Sequence, residues 1–549
     1  MKSEQVRNLR KKFREETEQN HKEVQPCSLV PSSQDKTVIF NTSGMQQLVP
    51  YLTGKEHPLG KRLFNIQRCV RTNDIEDIGD ERHLSMFEMM GNRSLGNYFK
   101  KESLKRSIHF LTKELQIPIE KIGATIFIGG NGIAKDLEAK EILLANGISP
   151  DKIRELDEDN FRGPPGAVGP CGPCCEIFVD RGEAYGPADR NIGTNDRYTE
   201  VWNNVFMEFY KDDQGNYTKL KQQNVDTGMG LERLCMFLQN KETIFETDIF
   251  EEIIKTIEKN TESTYPAYNQ KEEEWGAFEK RQVKSFRIVC DHIRASCFLL
   301  MDGVIPSNEG RGYVLRRLIR RMYYHTMILS NEKKNGEGKT LSFDEIKNLV
   351  TAIVSKFSSA YPELIRQSDS ITKELSKEIE NFKATIKRGE KQLNDILDGN
   401  EKKIISGAEA FTLYDSYGFP VELTIEIAKM QGIEVDLIGF EKELEKAREK
   451  SRSGASSMFK KTVDRAQFLE GIPTTEFVGY HSEENAEMKL LKKIELEENT
   501  VLIFDKTPFY AQGGGQTGDF GTIVDNDGTT YQISDVQKYE GVFLHFIKK

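Results

Sequence analysis

Apolar and polar positions recur with two different periods along this chain, and the change of period divides it. Residues 3–23 and 101–116 space their apolar side chains three and four apart, which predicts half-buried helices. TVIFNTSG (37–44) and GATIFIGG (123–130) are apolar runs closed by glycine and predict short buried strands. EVWNNVFMEF (200–209) predicts another strand, and DTGMGLERLCMFL (226–238) a glycine-spaced turn that enters a helix. GPPGAVGPCGPCC (163–175) holds too many glycines and prolines for a helix and predicts a structured loop. The polar stretch 261–282 predicts a linker, and the charged heptad-like segments of 343–455 predict solvated paired helices, with SNEKKNGEGKT (330–340) as a loop before them. Beyond about residue 476, FVGY, KLLKKIEL, NTVLIF, GTIVDNDG and TTYQIS alternate with turns, the texture of a small barrel. An α+β chain is expected, with a mixed region 1–238, a helical region 239–460 and a β-rich region 461–549.

Length and charge narrow the class. At about 150 residues per domain the chain has room for three or four domains. With 77 Lys+Arg against 87 Asp+Glu, its net charge of −10 argues against non-specific coating of nucleic acid but leaves space for a local basic groove. No apolar run approaches the roughly 18 residues of a membrane span, and the first residues lack the apolar core of a signal peptide, so a cytoplasmic location is expected. Eight scattered cysteines do not form a disulfide framework. Cys171, Cys174 and Cys175 offer a single CxxC without a second pair, which favours a tight turn over a zinc site.

Neither GxxxxGK[ST] nor a GxGxxG after a strand occurs, so nucleotide chemistry needs a different cradle. Arg71 and Arg233, delivered from separate elements, are suited to fork onto different phosphates of one triphosphate. A second cationic feature is Arg311, Arg316, Arg317, Arg320 and Arg321: the pairs 316/320 and 317/321 stack on neighbouring faces of one helix. Such a stripe suits an RNA backbone, although alone it equally suits a solvated face paired with acids.

The ordered motifs N-T-S-G-M (41–45), Q-R-C-V-R (67–71), F-E-M-M-G-N (87–92), G-P-C-G-P (169–173), V-W-N-N-V-F-M (201–207), D-T-G-M-G-L-E-R (226–233), P-S-N-E-G-R-G-Y-V-L-R-R (306–317), L-Y-D-S-Y-G-F-P-V (413–421) and T-P-F-Y-A-Q-G-G-G-Q (507–516) resemble the class II aminoacyl-tRNA synthetases, specifically the alanyl family. The resemblance covers essentially the whole chain. It implies an antiparallel catalytic sheet flanked by helices, an all-α tRNA-recognition domain, and the start of a β-barrel editing region. It also implies ATP and Mg²⁺ as the means of making alanyl-adenylate, and tRNA(Ala) and L-alanine as partners. By motif, Arg71 matches the arginine on the α-phosphate and amino-acid carboxylate, and Arg233 the one at the far phosphates. Phe87 and Met89 match the adenine contacts, Asp226 the carboxylate that holds the substrate ammonium, and Asn203, Val205 and Gly228 the walls of a pocket sized for one methyl. A pocket that small discriminates weakly, so serine and glycine are expected to leak through.

Asn308 and Asp415 match the residues that read the acceptor-stem G·U pair, with Arg311, Arg316, Arg317 and Arg320 as backbone contacts. Read without the family, Asp415 is equally a turn residue before Gly418-Phe-Pro420. Gln512 to Gln516 resembles the opening of the editing domain, whose zinc ligands are expected further on, so editing is expected to be absent or incomplete and the fragment monomeric. Four positions depart from the family: the short segment after Arg71 has no lysine, Arg162 stands for a tryptophan, Glu208 for a glutamine and Gln512 for a glutamate. The first two favour an alternative, a catalytically impaired tRNA-binding paralogue. A stand-alone deacylase is disfavoured.

Overall fold

In this computed structural model, residues 1–15, 20–32, 38–72, 75, 77–130, 132–164, 168–187, 192, 197–268, 274–308, 310–331, 341–398, 404–416, 419–430, 432–444, 446, 472–478, 488–495, 499–509, 511, 521–525, 527–539 and 542–548 are described. They fall into two compact units, Met1–Ile379 and Glu380–Lys549.

Alternation of side chains builds a nine-stranded sheet in the first unit. Its strands are β1 (Lys22–Glu23), β2 (Arg62–Val70), β3 (Met86–Leu95), β4 (Ile122–Phe127), β5 (Ile153–Leu156), β6 (Phe161–Arg162), β7 (Gly169–Asp180), β8 (Tyr198–Lys211) and β9 (Tyr217–Gly230). The order is β1-β2-β3-β9-β8-β7-β4-β5, with β6 attached to β7. Pairings from β2 through β4 are antiparallel, and only the outer β1·β2 and β4·β5 pairs are parallel.

The two faces of the sheet are covered differently. Helices Ser3–Glu15 and Lys100–His109 lie behind it: the Arg10 guanidinium stacks 4.3 Å over Trp202, and Ser103 and Ser107 each donate to Asn204 Oδ1 at 3.0 Å. In front, Met45, Leu48 and Leu52 pack on Leu63, Leu95, Cys174, Val205 and Met207, covering only that end of the face.

Three local expectations are corrected. Residues 38–44 are not a strand, because polar side chains take over their backbone: Thr42 N donates to Gln46 Oε1 at 2.7 Å, and Asn41 Nδ2 to Ser28 O at 2.7 Å. The segment expected as a loop carries the buried strand β7 from Gly169 onward, kinked by a register shift between Cys171 and Cys174 that accommodates Pro173. A Cβ on Gly172 would stand 2.0 Å from the Phe206 carbonyl, so close strand approach, not turning, explains that glycine. Asp226–Gly230 ends strand β9 instead of forming a turn, and Gly228 likewise serves close approach, a Cβ there falling 2.7 Å from Met89 Sδ.

Helices complete the first unit. Ala277–Met301 packs on Gly310–Asn331, so the linker expected to 282 gives way to helix at 277. Glu363–Asp398, whose residues from Glu380 on belong to the second unit, is one continuous helix with a stripe of Leu364, Ile371, Leu375, Ile379, Phe382, Ile386 and Leu393. In the second unit the helices Gly407–Asp415 and Val421–Met430 precede a five-stranded antiparallel sheet. Its order is Leu490–Glu495, Asn499–Phe504, Val542–Lys548, Thr530–Tyr539 and Gly521–Val524. Both faces are apolar by strict alternation: Val501 and Ile503 join one cluster, Leu502 and Phe504 the other. Gln512 to Gln516 lies outside the described residues. Among the described residues no helix is long and apolar enough to cross a membrane.

Candidate active site

Cross-strand neighbours share a face, so register assembles the site. One row runs Leu63, Arg93, Asp226, Val205 and Cys174 across β2, β3, β9, β8 and β7. The next carries Asn65 opposite Gly91, and Gly228 opposite Asn203, which faces Glu176. Gly91 and Gly228 bring no side chains to the middle of that row, where the Arg93 guanidinium and the Met89 thioether lie over them, and this stretch of the face is the candidate trough. Its outer wall is Phe87 and Met89, both half-buried on the same face of β3. Asp226, Asn203 and Val205 line the other side and are buried.

Arg71 follows β2, its backbone N–H bonded to Ser85 O at 2.9 Å, while Asp291 of helix Ala277–Met301 accepts from Ser85 N at 2.9 Å. The Arg71 guanidinium lies 5.0 Å from the centre of the Phe87 ring. It keeps solvent access, yet surrounding protein lowers its pKa, Arg162 and Arg233 adding to the effect while Cys69 and Glu200 oppose it. Arg233, in the first turn of helix Leu231–Leu238, pairs with Glu200 at 3.0 Å. Arg162 pairs with Glu176 Oε1 at 2.7 Å, and Asn203 Nδ2 donates to the same oxygen at 2.9 Å. Three guanidiniums and two carboxylates therefore gather beside the trough. Burial and then Glu200 push Glu176 up to about 7, Arg162 opposing.

Behind the wall, the Glu88 carboxylate is held by Arg7, by Arg294 at 3.7 Å and by Tyr361 Oη at 2.5 Å, and the Glu88 N–H donates to Glu232 at 3.1 Å. Burial raises the Glu88 pKa, but Arg7 and Arg294 outweigh it and hold the group ionised below its ordinary range. Glu88 lies between Phe87 and Met89, and Glu232 precedes Arg233. This buried network fixes the strand and helix that deliver the site residues.

Of the expected site residues, the structure brings Arg71, Phe87, Met89, Asn203, Val205, Asp226, Gly228 and Arg233 to one face. Arg162 joins them and places a further positive charge near Arg71. Sequence reasoning missed Glu176, Glu200, Asn65 and Arg93. Strand parity held the signal for two of them: Glu176 pairs across from Asn203, and Arg93 shares the face of Phe87 and Met89.

The basic helix is more tied down than its spacing suggests. Arg316 donates to Asn308 Oδ1, Arg316 and Arg320 converge on Glu378 at 3.4 and 2.8 Å, and Arg311 donates to Ile39 O at 2.6 Å. Arg321 is buried, its Nη1 bonded to Ile75 O at 2.7 Å. Arg317 is half-buried on the same helix. Asp415 is the last residue of helix Gly407–Asp415 in the second unit. Cys171, Cys174 and Cys175 are buried free thiols on β7, burial pushing Cys174 up to about 12. Among the described residues no three His, Cys, Asp or Glu side chains converge as a metal site.

A family model described as tRNA synthetases class II (A) matches residues 8–549. The chain is 44% identical over 446 residues to the alanine–tRNA ligase of Borreliella afzelii (strain PKo), covering 80% of this chain and 71% of that protein. It is 38% identical over 547 residues to the alanine–tRNA ligase of Thermoanaerobacter sp. (strain X514), covering 96% of this chain and 58% of that protein. A third relative, the alanine–tRNA ligase of Dehalococcoides mccartyi, is 37% identical over 557 residues, with 99% and 60% covered.

Proposed function

The chain belongs to the class II (A) tRNA synthetases, and from that premise we propose that it is an alanine–tRNA ligase, activating L-alanine with ATP and loading it onto tRNA(Ala). The observation that carries this reading is the meeting of Arg71, Arg162 and Arg233 beside a trough walled by Asp226, Asn203 and Val205.

The geometry accounts for both substrates. The zwitterion's ammonium goes to Asp226, helped by Asn203 Oδ1, a buried acceptor that has no hydrogen-bond partner among the described residues. The methyl is assigned to the side walled by Val205 and Gly228, where the half-buried Met89 thioether lies over the glycine and can move aside. The adenine packs on Phe87 and Met89, and its phosphates extend over Arg71 towards Arg162 and Arg233. An alanine carboxylate oxygen then attacks the α-phosphorus in line, the bond to the bridging oxygen breaks, and pyrophosphate leaves. Fixed guanidiniums stabilise the charge that moves outward, so positioning and electrostatics supply the rate without a covalent enzyme intermediate. A tRNA ribose hydroxyl next attacks the adenylate carbonyl and AMP departs.

Mg²⁺ suits the residues present, because it needs only one or two protein carboxylates when phosphate oxygens and water complete its shell. Glu200, 3.0 Å from Arg233, would hold it. When bound, such an ion would supply positive charge against the phosphates.

Asn308 and Asp415 are proposed as acceptor-stem readers of the G·U pair, each through its own polar group, with Arg311, Arg316, Arg317 and Arg320 near the backbone. Arg316 at Asn308 Oδ1 orients the amide, which supports that role.

Alanine-dependent pyrophosphate exchange tests the whole reading. Exchange is expected with alanine, weakly with serine and glycine, and is lost in Arg233→Ala. Binding of tRNA(Ala) without exchange for any amino acid would instead favour an impaired paralogue, and exchange with a different amino acid alone would refute the substrate.

A further inference from the structure

Asp226 does not stand alone in the trough. Its Oδ1 accepts from Arg93 Nε at 2.7 Å, across the strand pair that places the two residues directly opposite. Arg93 is fully buried, 0% exposed. Its Nη1 donates to Asn65 Oδ1, while its Nη2 has no hydrogen-bond partner among the described residues. Two glycines make room for that guanidinium. A Cβ on Gly44 would fall 2.0 Å from Nη2, and one on Gly91 would fall 2.5 Å from it. Arg93 is therefore clamped: Asp226 holds Nε, Asn65 holds Nη1, and Gly44 and Gly91 make room for Nη2.

A guanidinium buried this way is costly unless it does something for its neighbour. We propose that Arg93 is a positioning residue for the substrate ammonium: it orients the Asp226 carboxylate and keeps it ionised, with Asn65 and the Gly44/Gly91 gap holding Arg93 in place. This rests on the alanine-ligase reading above. Burial lifts the Asp226 carboxyl above its ordinary value and Arg93 opposes that lift. The other groups facing Asp226 are neutral: Val205 from β8, Asn203 one row on, and Asn65 from β2. Among the described residues Arg93 is the charge that offsets this desolvation, so without it Asp226 takes up a proton at a higher pH and releases its hold on an ammonium. With Nε taking one carboxylate oxygen, the other is left for the ammonium.

The test is steady-state pyrophosphate exchange by the whole chain from pH 5.5 to 9, with KM read separately for alanine and ATP. Arg93→Gln is expected to raise the alanine KM about ten-fold or more at neutral pH, to move the acid limb of kcat/KM for alanine upward by about one pH unit, and to leave the ATP KM within about two-fold. Arg93→Lys, which keeps the positive charge, is expected to restore the acid limb. An equal rise in both KM values, or an unmoved acid limb in Arg93→Gln, overturns the proposal, since a purely structural role produces that pattern. Should Arg93→Gln not fold, Asn65→Ala decides: it frees Nη1, a rise of a few-fold in the alanine KM alone is expected, and no rise overturns the proposal. Absence of alanine-dependent exchange in the unsubstituted protein refutes the ligase reading instead, so the two failures are told apart.

Discussion

Gly228→Ala adds one methyl group at the centre of the trough, and the structure says where it goes. The new Cβ would stand 2.7 Å from Met89 Sδ and 3.1 Å from its Cγ. Met89 is half-buried with three rotatable bonds, so the thioether can swing aside instead of forcing the backbone apart. The folding cost should therefore sit at the low end of overpacking, about 1 kcal/mol, which lowers the melting temperature by about 2 °C in a unit this large. Function has less slack. The methyl, and the Met89 thioether it displaces, crowd the trough opposite Asn203, and a pocket for one methyl cannot hold two. A methylene-sized misfit is worth about 1–3 kcal/mol, or roughly 10- to 200-fold in kcat/KM. Alanine-dependent exchange should fall by that factor, while glycine, which lacks the methyl, should lose much less, so the alanine-to-glycine preference narrows or inverts. Parallel loss for both amino acids would show that the methyl side of the pocket lies elsewhere, as would unchanged exchange in a variant with the expected small thermal shift.

Other outcomes follow from the same geometry. Glu176, at about 7, binds a proton more tightly folded than unfolded, so the stability of the protein falls as pH rises from about 4.5 through about 7; Glu176→Gln removes that loss, worth at most about 3 kcal/mol. The variant should melt above the unsubstituted protein at pH 8 and level with it near pH 4.5, by scanning calorimetry; a gap that grows on acidification contradicts the assignment. Asn308→Ala and Asp415→Ala should leave alanine-dependent exchange nearly intact and lower tRNA charging by about 1–3 kcal/mol in transition-state terms. Equal loss in both half-reactions, measured side by side, removes them from tRNA reading. In Arg162→Trp, the cation beside Arg71 is gone, so the ATP KM should rise several-fold in the exchange assay; an unchanged ATP KM would mean that Arg162 does not serve the phosphates.

The local sequence determined the residue types of this site and the order in which they appear. Arg71 and Arg233 were legible as candidates for phosphates from guanidinium chemistry, whereas Phe87 and Asp226 became candidates only through the family motifs. Composition was a poorer guide to backbone. Glycine and proline density in 163–175 and 226–230 suggests turns, but β7 and β9 are strands there. Their glycines answer to a neighbouring carbonyl at Gly172 and a neighbouring thioether at Gly228, which no single segment displays. Only the tertiary structure decided which acids meet which cations. Glu200 reaches Arg233, Glu176 reaches Arg162, and Glu378 takes Arg316 and Arg320 out of what spacing presents as a free basic stripe. Arg93 lies on Asp226 because antiparallel register puts positions 133 residues apart side by side. Periodicity says which face a side chain takes, whereas pairing across strands, set by the packing of the whole sheet, says what it touches there.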